Sequence, residues 1–586
     1  MNEIIIGIDL GTTNSEVAIV ENGQSHIITF ENKKILPSVV GIDDEGHVLV
    51  GETARNQYLV YPDRTVKSIK RLMGQDTHVV MADKTYQPQE ISAIILKRLK
   101  TIAEDYVGQP LDKAVITVPA YFSDAQRQAT REAGEIAGLN VVRMINEPTA
   151  AALCYGAAQS EAKRMLVYDL GGGTFDVSIV NIDAGVVEVL SSHGDNHLGG
   201  DDFDQQIINY LSDHLLDQYG VNVDLHSKAL ARITRAAENA KLRLSDEPFV
   251  QIDEEYLLEY EGNPIHLSIE LSRVDYEEMI QDYINATLDA VHIALKGAKL
   301  IASDIDEIIL VGGSTRTPII RERLFDEFGF EPHSEINPDL CVAMGAAIQA
   351  AMINGQNIDT VLVDVTPYTY GTSALGELYG QNYPYMYVPI IHKNSVLPSR
   401  KTEAFYTVHD GQESVNVSIY QGEDPDALAN VQIGEFNIEG LRDVPAGNVI
   451  TMTLDLDLNG ILHVSAREKA SGKEKSIVIN NAISRFDNEA LSNAKQRVQH
   501  LFGQNDGSRA WDSDHENSAQ NEKPSVSAAR QLISKAENLL DTVSNEDKED
   551  LINLIETINN CIDADDDSGL TTATEQLTDV IYYLES

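Results

Sequence analysis

The chain has 586 residues with 92 acidic against 44 basic side chains, a net charge of −48. So acidic a surface repels phosphate backbones and anionic headgroups, which argues against nucleic acid or a bilayer as partner. The length exceeds what one hydrophobic core spans, so two to four domains are expected, and 42% hydrophobic with 23% charged residues is the composition of a folded soluble protein. Cys154, Cys341 and Cys561 lie far apart with no CxxC pair, which argues against a zinc centre or a disulfide framework and suits a reducing compartment. After Met1-Asn2-Glu3 the chain runs at once into Ile4-Ile5-Ile6-Gly7-Ile8-Asp9, with no basic leader, and no stretch of about eighteen apolar residues follows. A cytoplasmic location is expected.

Up to about residue 355, apolar β-branched runs alternate with segments of helical period, the pattern of α/β layers. Ala114-Val115-Ile116-Thr117-Val118 and Ile308-Ile309-Leu310-Val311 read as buried strands, and 123–138 as a helix opened by a Ser cap. From about 361 to 480 the texture turns to alternation and turn signals, with few helical stripes. Thr451-Met452-Thr453-Leu454-Asp455-Leu456-Asp457, the turn Leu458-Asn459-Gly460 and Ile461-Leu462-His463-Val464-Ser465-Ala466 predict a β-hairpin. After Ser484 the helical period returns with Leu491, Ala494, Val498 and Leu501 on one face. The polar stretch 503–525, which holds the single tryptophan Trp511, is expected to be a flexible break. Leu551, Leu554, Ile555, Ile558 and Ile562 then form an amphipathic stripe behind the capping run Ser544-Asn545-Glu546-Asp547, and Asp565-Asp566-Asp567 reads as a solvated turn between helices. The tail is expected to be a small helical bundle.

Two segments match at a constant offset of 160 residues. Gly7-Ile8-Asp9-Leu10-Gly11-Thr12-Thr13-Asn14-Ser15-Glu16-Val17-Ala18-Ile19-Val20 lies in register with Val167-Tyr168-Asp169-Leu170-Gly171-Gly172-Gly173-Thr174-Phe175-Asp176-Val177-Ser178-Ile179-Val180. Each reads strand, Gly/Thr turn, strand. Such turns let backbone N–H groups approach phosphate oxygens, and a carboxylate at each strand end orients water on Mg²⁺. With a third turn, Gly312-Gly313-Ser314-Thr315, the pattern points to a nucleotide clamped between duplicated halves. There is no GxxxxGK[ST] loop, and neither repeated turn opens a helix, which argues against P-loop and dinucleotide-binding folds.

The motifs Ile6-Gly7-Ile8-Asp9-Leu10-Gly11-Thr12-Thr13-Asn14-Ser15, Val115-Ile116-Thr117-Val118-Pro119-Ala120-Tyr121-Phe122, Asn146-Glu147-Pro148-Thr149-Ala150-Ala151, Asp169-Leu170-Gly171-Gly172-Gly173-Thr174-Phe175-Asp176 and Ile309-Leu310-Val311-Gly312-Gly313-Ser314-Thr315-Arg316 resemble those of DnaK and the other seventy-kilodalton heat-shock chaperones. The resemblance covers nearly all of the chain to Asn480 and is weaker beyond. It implies a multidomain protein: an actin-like α/β ATPase domain over 1–357, an interdomain linker over 358–366, a β-sandwich peptide-binding domain over 367–482, and an α-helical lid over 483–586 with a break near 503–525.

The resemblance also implies roles. Gly11, Thr12, Thr13, Asn14, Gly171, Gly172, Gly173 and Thr174 would surround the phosphates of ATP or ADP. Asp9 and Asp169 would hold Mg²⁺ through water, with K⁺ nearby. Lys70, Glu147, Asp9, Asp169 and Thr174 would serve hydrolysis, Lys70 orienting the attacking water. Glu238, Lys241, Ser245, Gly312, Gly313, Ser314, Arg316 and Asp339 would surround the adenosine. Pro119 and Arg127 would relay nucleotide state to the linker residues Asp359, Leu362 and Asp364. Phe405, Val415 and Val417 would line a peptide pocket beneath an arch of Leu375 and Val408. The implied function is an ATP-gated chaperone for extended hydrophobic peptides of unfolded proteins, served by a J-domain cochaperone and a GrpE-like exchange factor, and existing as a monomer or weak dimer.

The chain departs from the pattern in places. The region after Gly74 is short, as in the compact variant of Gram-positive bacteria. Leu340 and Cys341 replace the usual Glu and Ala, Thr360 and Val363 replace bulkier linker residues, and 379–387 reads as an insertion with Tyr379, Tyr383, Tyr385 and Tyr387. Two other classes share the ATPase architecture. A sugar kinase leaves the β region and lid unexplained, and an actin-like filament protein ends after the ATPase lobes. A relative that binds nucleotide but has lost the allosteric cycle would have to differ in the linker or lid.

Overall fold

A computed structural model describes residues 4–156, 162–333, 337–356, 358, 360–478, 486 and 488–503, with scattered positions between 554 and 580. The strands β1 (Ile5–Leu10), β2 (Asn14–Glu21) and β3 (Gln24–Ile27) open the first sheet. They are followed by helix α1 (Pro88–Val107), β4 (Lys113–Val118), α2 (Asp124–Ile136), β5 (Asn140–Asn146) and α3 (Glu147–Gly156). The sheet runs β5-β4-β1-β2-β3, with β1 and β4 parallel. The middles of its central strands are apolar because both faces are covered, and Ile6, Ile8, Val115 and Ile116 are fully buried. The Ser123 cap of α2 is as expected: its hydroxyl accepts from Gln126 N at 3.4 Å while Gln126 Oε1 accepts from Ser123 N at 2.9 Å.

The duplication continues with β6 (Lys163–Leu170), β7 (Phe175–Asp183), β8 (Val186–Asp195), α4 (Gly200–Tyr219), α5 (Ser227–Leu244), α6 (Gln281–Ala298), β9 (Glu307–Val311) and α7 (Cys341–Ile353). The second sheet runs β9-β6-β7-β8 and ends on β10 (Val361–Val363), which pairs parallel with β8. The repeat is therefore structural: Asp9 stands opposite Glu16 on β1–β2 as Asp169 stands opposite Asp176 on β6–β7. Helices α3 and α7 cross behind the two sheets. They are rich in Ala and Gly, which allows a close approach, and a Cβ on Gly345 would lie 1.8 Å from the Ala150 carbonyl oxygen.

Beyond β10 the chain is all β until its last described helix. The strands are β11 (Tyr370–Leu378), β12 (Gln381–Ile391), β13 (Ser399–Tyr406), β14 (Ser414–Gln421), β15 (Val431–Glu439), β16 (Val449–Leu456), β17 (Leu462–Glu468) and β18 (Glu474–Val478). They form two four-stranded antiparallel sheets, β12-β11-β14-β15 and β13-β16-β17-β18. The expected hairpin is β16–β17. Its alternation buries Ile450, Met452, Leu454 and Leu456 against Ile419, Phe436 and Ile438 of the other sheet.

The chain divides into two compact units, 1–501 and 502–586. Helix α8 (Asn488–Gly503) buries Ala494, Val498 and Leu501, the stripe expected of it. In the second unit Leu554 and Ile558 are helical and Ile558 is buried. Leu551, Ile555, Ile562, the capping run, the acidic turn 565–567, Trp511, Cys561 and the polar stretch 504–525 lie outside the described residues. No helix among the described residues is long and apolar enough to cross a membrane.

Candidate nucleotide site and its connection to the β region

The two glycine turns meet face to face. A Cβ on Gly172 would lie 1.8 Å from Thr13 Oγ1, and one on Gly173 would lie 2.7 Å from the Thr12 methyl. Only glycine backbone fits between these threonines, which leaves amide N–H groups lining the gap. Gly312 completes the cradle with φ +81°, and a Cβ there would lie 2.4 Å from Leu170 O. Ser314 Oγ donates to Gly171 O at 2.8 Å, which ties the third turn to the second.

Carboxylates gather beneath the turns. Asp9 Oδ1 accepts from the Thr117 hydroxyl at 2.7 Å. Asp176 Oδ1 accepts from Tyr121 N at 3.0 Å. Lys70 Nζ donates to Glu147 Oε1 at 2.5 Å, and both side chains are buried. Burial raises the pKa of Asp9, Glu16, Glu147, Asp169 and Asp176, and the Lys70 charge opposes the rise in each. One ammonium faces four buried carboxyls and the half-buried Asp9. The donor set of hard oxygens with too little positive charge suits Mg²⁺, whose arrival would favour the ionised forms.

A cleft rises from the turns, lined by Thr12, Thr13, Asn14, Arg55, Tyr58, Lys67, Asp201, Asp204, Glu238 and Lys241. Lys241 Nζ donates to Asp204 Oδ2 at 2.8 Å and Gly200 O at 3.1 Å. Arg55 reaches across to Glu238 at 2.7 Å, and Arg71 to Asp202 at 2.9 Å. Arg316 pairs with Asp339 at 2.7 Å on the exposed rim. Ser245 follows Lys241 by one turn, as the C-cap of α5. Leu340 and Cys341 are buried at the start of α7, and burial raises the thiol pKa, so the departures pack as apolar residues.

The Arg55–Glu238 pair closes the cleft mouth and is partly exposed, so it is worth about 0.5–1 kcal/mol. Arg55→Ala should speed ADP release roughly two- to fivefold in a stopped-flow chase with a fluorescent ADP.

Arg127 and Asp364, in the segment expected to be the linker, join through one amide. Arg127 Nη2 donates to Asn146 Oδ1 at 2.7 Å and to Ala120 O at 2.9 Å, in the turn opened by Pro119. Asn146 Nδ2 in turn donates to Asp364 Oδ2 at 3.0 Å, and the Thr149 hydroxyl donates to the same oxygen at 3.2 Å. Asn146 directly precedes Glu147, so the linker carboxylate sits one residue from the buried ion pair. Leu362 is half-buried against the core behind the first sheet, and Asp359 lies outside the described residues. The β region touches the α/β region directly: Asn459 Oδ1 accepts from Met144 N at 3.1 Å, Asp124 Oδ1 from Leu462 N at 3.3 Å, and Tyr121 O from the Tyr368 hydroxyl at 2.5 Å.

In the β region Phe405 and Val415 are partly buried at the edge of the core, opposite Ile450 and Ile438. Val417 is buried in that core, where the β14 alternation carries it between the two sheets. Leu375 and Val408 are exposed at 60% and 51%, as an arch would require. The tyrosines divide. Tyr379 is exposed at the hairpin tip, Tyr383 donates to Asp426 Oδ1 at 3.0 Å, and Tyr387 is buried with its hydroxyl on Thr369 O at 3.2 Å.

Sequence reasoning passed over Glu16, Asp176, Asn146, Arg55 and Tyr121. The first two were available from the repeat, since both are acidic at the same offset. Asn146 and Tyr121 stand in the motifs quoted above, but their partners, like that of Arg55, lie far away in sequence.

The family model described as Hsp70 protein matches residues 5–83 and 75–586. The Chaperone protein DnaK of Thermosipho melanesiensis is 47% identical over 505 residues, which is 84% of this chain and 83% of the relative. That of Thermotoga petrophila is 48% identical over 486 residues, 81% of this chain and 80% of the relative, and the Thermotoga maritima protein gives the same figures.

Proposed function

This chain belongs to the Hsp70 family, and from that premise we propose how its own residues couple ATP hydrolysis to peptide release. It is an ATPase and an ATP-dependent chaperone that binds unfolded protein, working with ATP or ADP and Mg²⁺. In the proposed assignment the backbone of Thr12, Thr13, Gly171, Gly172 and Gly173, with Gly11 and Asn14 shaping the first turn, binds the phosphates. The Thr174 hydroxyl lies beside the γ-phosphate. The groove between Glu238, Lys241, Ser314 and the Arg316–Asp339 pair takes the adenosine, with Gly312 and Gly313 bending the chain beneath it. Asp9 and Asp169 would hold Mg²⁺ through water, and the bound ion would supply charge neutralisation for the phosphates. Potassium belongs to the same proposal, because one divalent cation and Lys70 leave part of the carboxylate charge uncompensated.

Lys70 positions the attacking water and stabilises charge developing on the transferred phosphoryl group, which is where most of the barrier reduction in such reactions comes from. Glu147 anchors the ammonium and accepts a hydrogen bond from the water as it moves in. The observation that carries the coupling is the path Lys70–Glu147–Asn146–Asp364, which ends on a linker strand paired into the second sheet. A γ-phosphate that draws Lys70 toward itself changes the hold on Glu147, then Asn146, then the linker. The arrangement described supports the peptide-releasing state: linker and β region are docked, and α8 lies on α1 through Arg497, which donates to Glu90 Oε1 at 2.8 Å. Hydrolysis would undock both and trap the peptide. A J-domain cochaperone would speed hydrolysis and a GrpE-like factor ADP release, with the chaperone acting as a cytoplasmic monomer or weak dimer.

The test is single-turnover ATP hydrolysis with and without a leucine-rich peptide. Acceleration by peptide supports the reading, because coupling is reciprocal; hydrolysis indifferent to every peptide and J-domain overturns it. The lid contact gives a further check. Glu90 is buried and also accepts from Gln87 N at 3.0 Å, so its charge is fixed in place. Arg497→Glu should slow peptide exchange in ATP about three- to tenfold while leaving basal hydrolysis within twofold, read from the release of a labelled peptide.

A further inference from the structure

The loop after β12 carries Lys393 across to the α/β region, where its Nζ donates to His193 Nδ1 at 3.3 Å. An ammonium has no acceptor, so the imidazole must offer a lone pair at Nδ1 and be neutral. Tyr121 fixes the ring, meeting it edge-on at 4.9 Å and 89° between planes, and Lys393 Nζ also lies 5.8 Å from the Tyr121 ring centre. Tyr368 packs on the other side of Tyr121 at 4.7 Å, and the Tyr121 amide is held by Asp176 in the cleft. The contact thus stands one residue from the nucleotide carboxylates and joins two regions that the functional cycle must separate.

We propose that His193 and Lys393 form a proton-operated latch, which holds the β region on the α/β region while the imidazole is neutral and releases it when the ring takes a proton. The neighbourhood favours easy release. Ser191 Oγ and Asn394 Oδ1 are buried without a hydrogen bond among the described residues, and Ser191 Oγ and Asn394 Nδ2 stand beside Gly297 of α6. Such an interface gives back its desolvation cost on opening.

Burial, then the Lys393 charge, pulls His193 down from its ordinary value to about 4, and Asp195 opposes them. Tyr121 meets the ring edge-on without charge, Glu423 acts on Lys393 and Tyr121 from the β region, and Gly297 brings no charge from α6. A histidine whose docked pKa is lowered contributes fully to docking above about pH 6.5 and loses that contribution as pH falls toward 4. At about pH 5.5 docking should weaken roughly tenfold relative to about pH 8. Asp124 works in the opposite sense: burial raises it to about 7 in the docked arrangement, so acid favours its burial there, while the Leu462 N–H that it accepts favours the ionised form. The wild-type profile therefore mixes both groups, and only a variant isolates the histidine.

The proposal rests on the docked arrangement being the peptide-releasing state. Its test is the off-rate of a fluorescent leucine-rich peptide from the full chain in ATP, at about pH 8 and about pH 5.5. Wild type, His193→Asn and Lys393→Met would be compared, with basal hydrolysis at the higher pH checking that each variant folds. The ratio of the two off-rates should differ between wild type and His193→Asn by roughly tenfold, and Lys393→Met should release peptide more slowly at the higher pH. Equal pH ratios for wild type and His193→Asn would overturn the latch. Failure of ATP to speed release from wild type at the higher pH would instead overturn the docking reading, a separate and recognisable outcome.

Discussion

Replacing Lys70 with alanine should lower the single-turnover rate of ATP hydrolysis by about 10²–10³-fold, the usual cost of removing one positioned donor from a transition state. The site contains four buried carboxyls and the half-buried Asp9 around this ammonium, so the loss is larger than for an exposed lysine. Glu147 would be left buried without its counter-charge and would take up a proton, since burial already raises its pKa and Lys70 is what restrains it. Nucleotide binding should change far less, because the glycine turns and the Arg55, Lys241 and Glu238 cleft remain. Measured together, a collapsed hydrolysis rate with ADP affinity retained within about fivefold marks a transition-state role. Equal losses in both would mean that Lys70 only shapes the site.

The second large effect concerns the linker. Asp364→Ala should abolish the acceleration of peptide release by ATP while sparing basal hydrolysis. The substitution leaves the Asn146 amide and the Thr149 hydroxyl without their half-buried acceptor. Hydrogen bonds to a charged group are worth about 1.5–3 kcal/mol, so the docked population should fall by about 100-fold or more. Burial raises the pKa of Asp364 in the docked arrangement, with the Val365 N–H and Arg127 opposing. Asp364→Asn keeps an acceptor oxygen and should lose less, which separates the hydrogen bonds from the charge. The measurement is energy transfer between dyes on the α/β and β regions upon ATP addition. An unchanged transfer signal in Asp364→Ala would show that the linker docks through Leu362 and strand pairing alone.

Much of this site was legible in advance. The register of the 160-residue repeat pointed to paired glycine turns with an aspartate at each strand end, and Thr12, Thr13, Gly172 and Gly173 do meet across the cleft. The peptide region was less legible. Alternation at Phe405, Val408, Val415 and Val417 is the same for a pocket wall and for a core, and tertiary packing placed Val417 in the core. The tyrosine insertion likewise gave no sign that Tyr387 would be buried while Tyr379 stood exposed at the tip, because that depends on how the 425–426 loop closes over β12.

The sequence by itself determined the order of α/β, β and helical segments, the hairpins and the phosphate-facing turns. These depend on apolar period, caps and Gly or Asn-Gly turns, all of which act within a few residues. Only the tertiary structure decided which distant charges met: Lys70 with Glu147 across 77 residues, Arg55 with Glu238 across 183 and Arg497 with Glu90 across 407. It also decided that the linker strand joined β8 instead of a sheet of the β region. A short apolar run carries an edge of free N–H and C=O groups that any exposed strand can satisfy. The partner it takes is set by which edge the surrounding fold leaves open beside it.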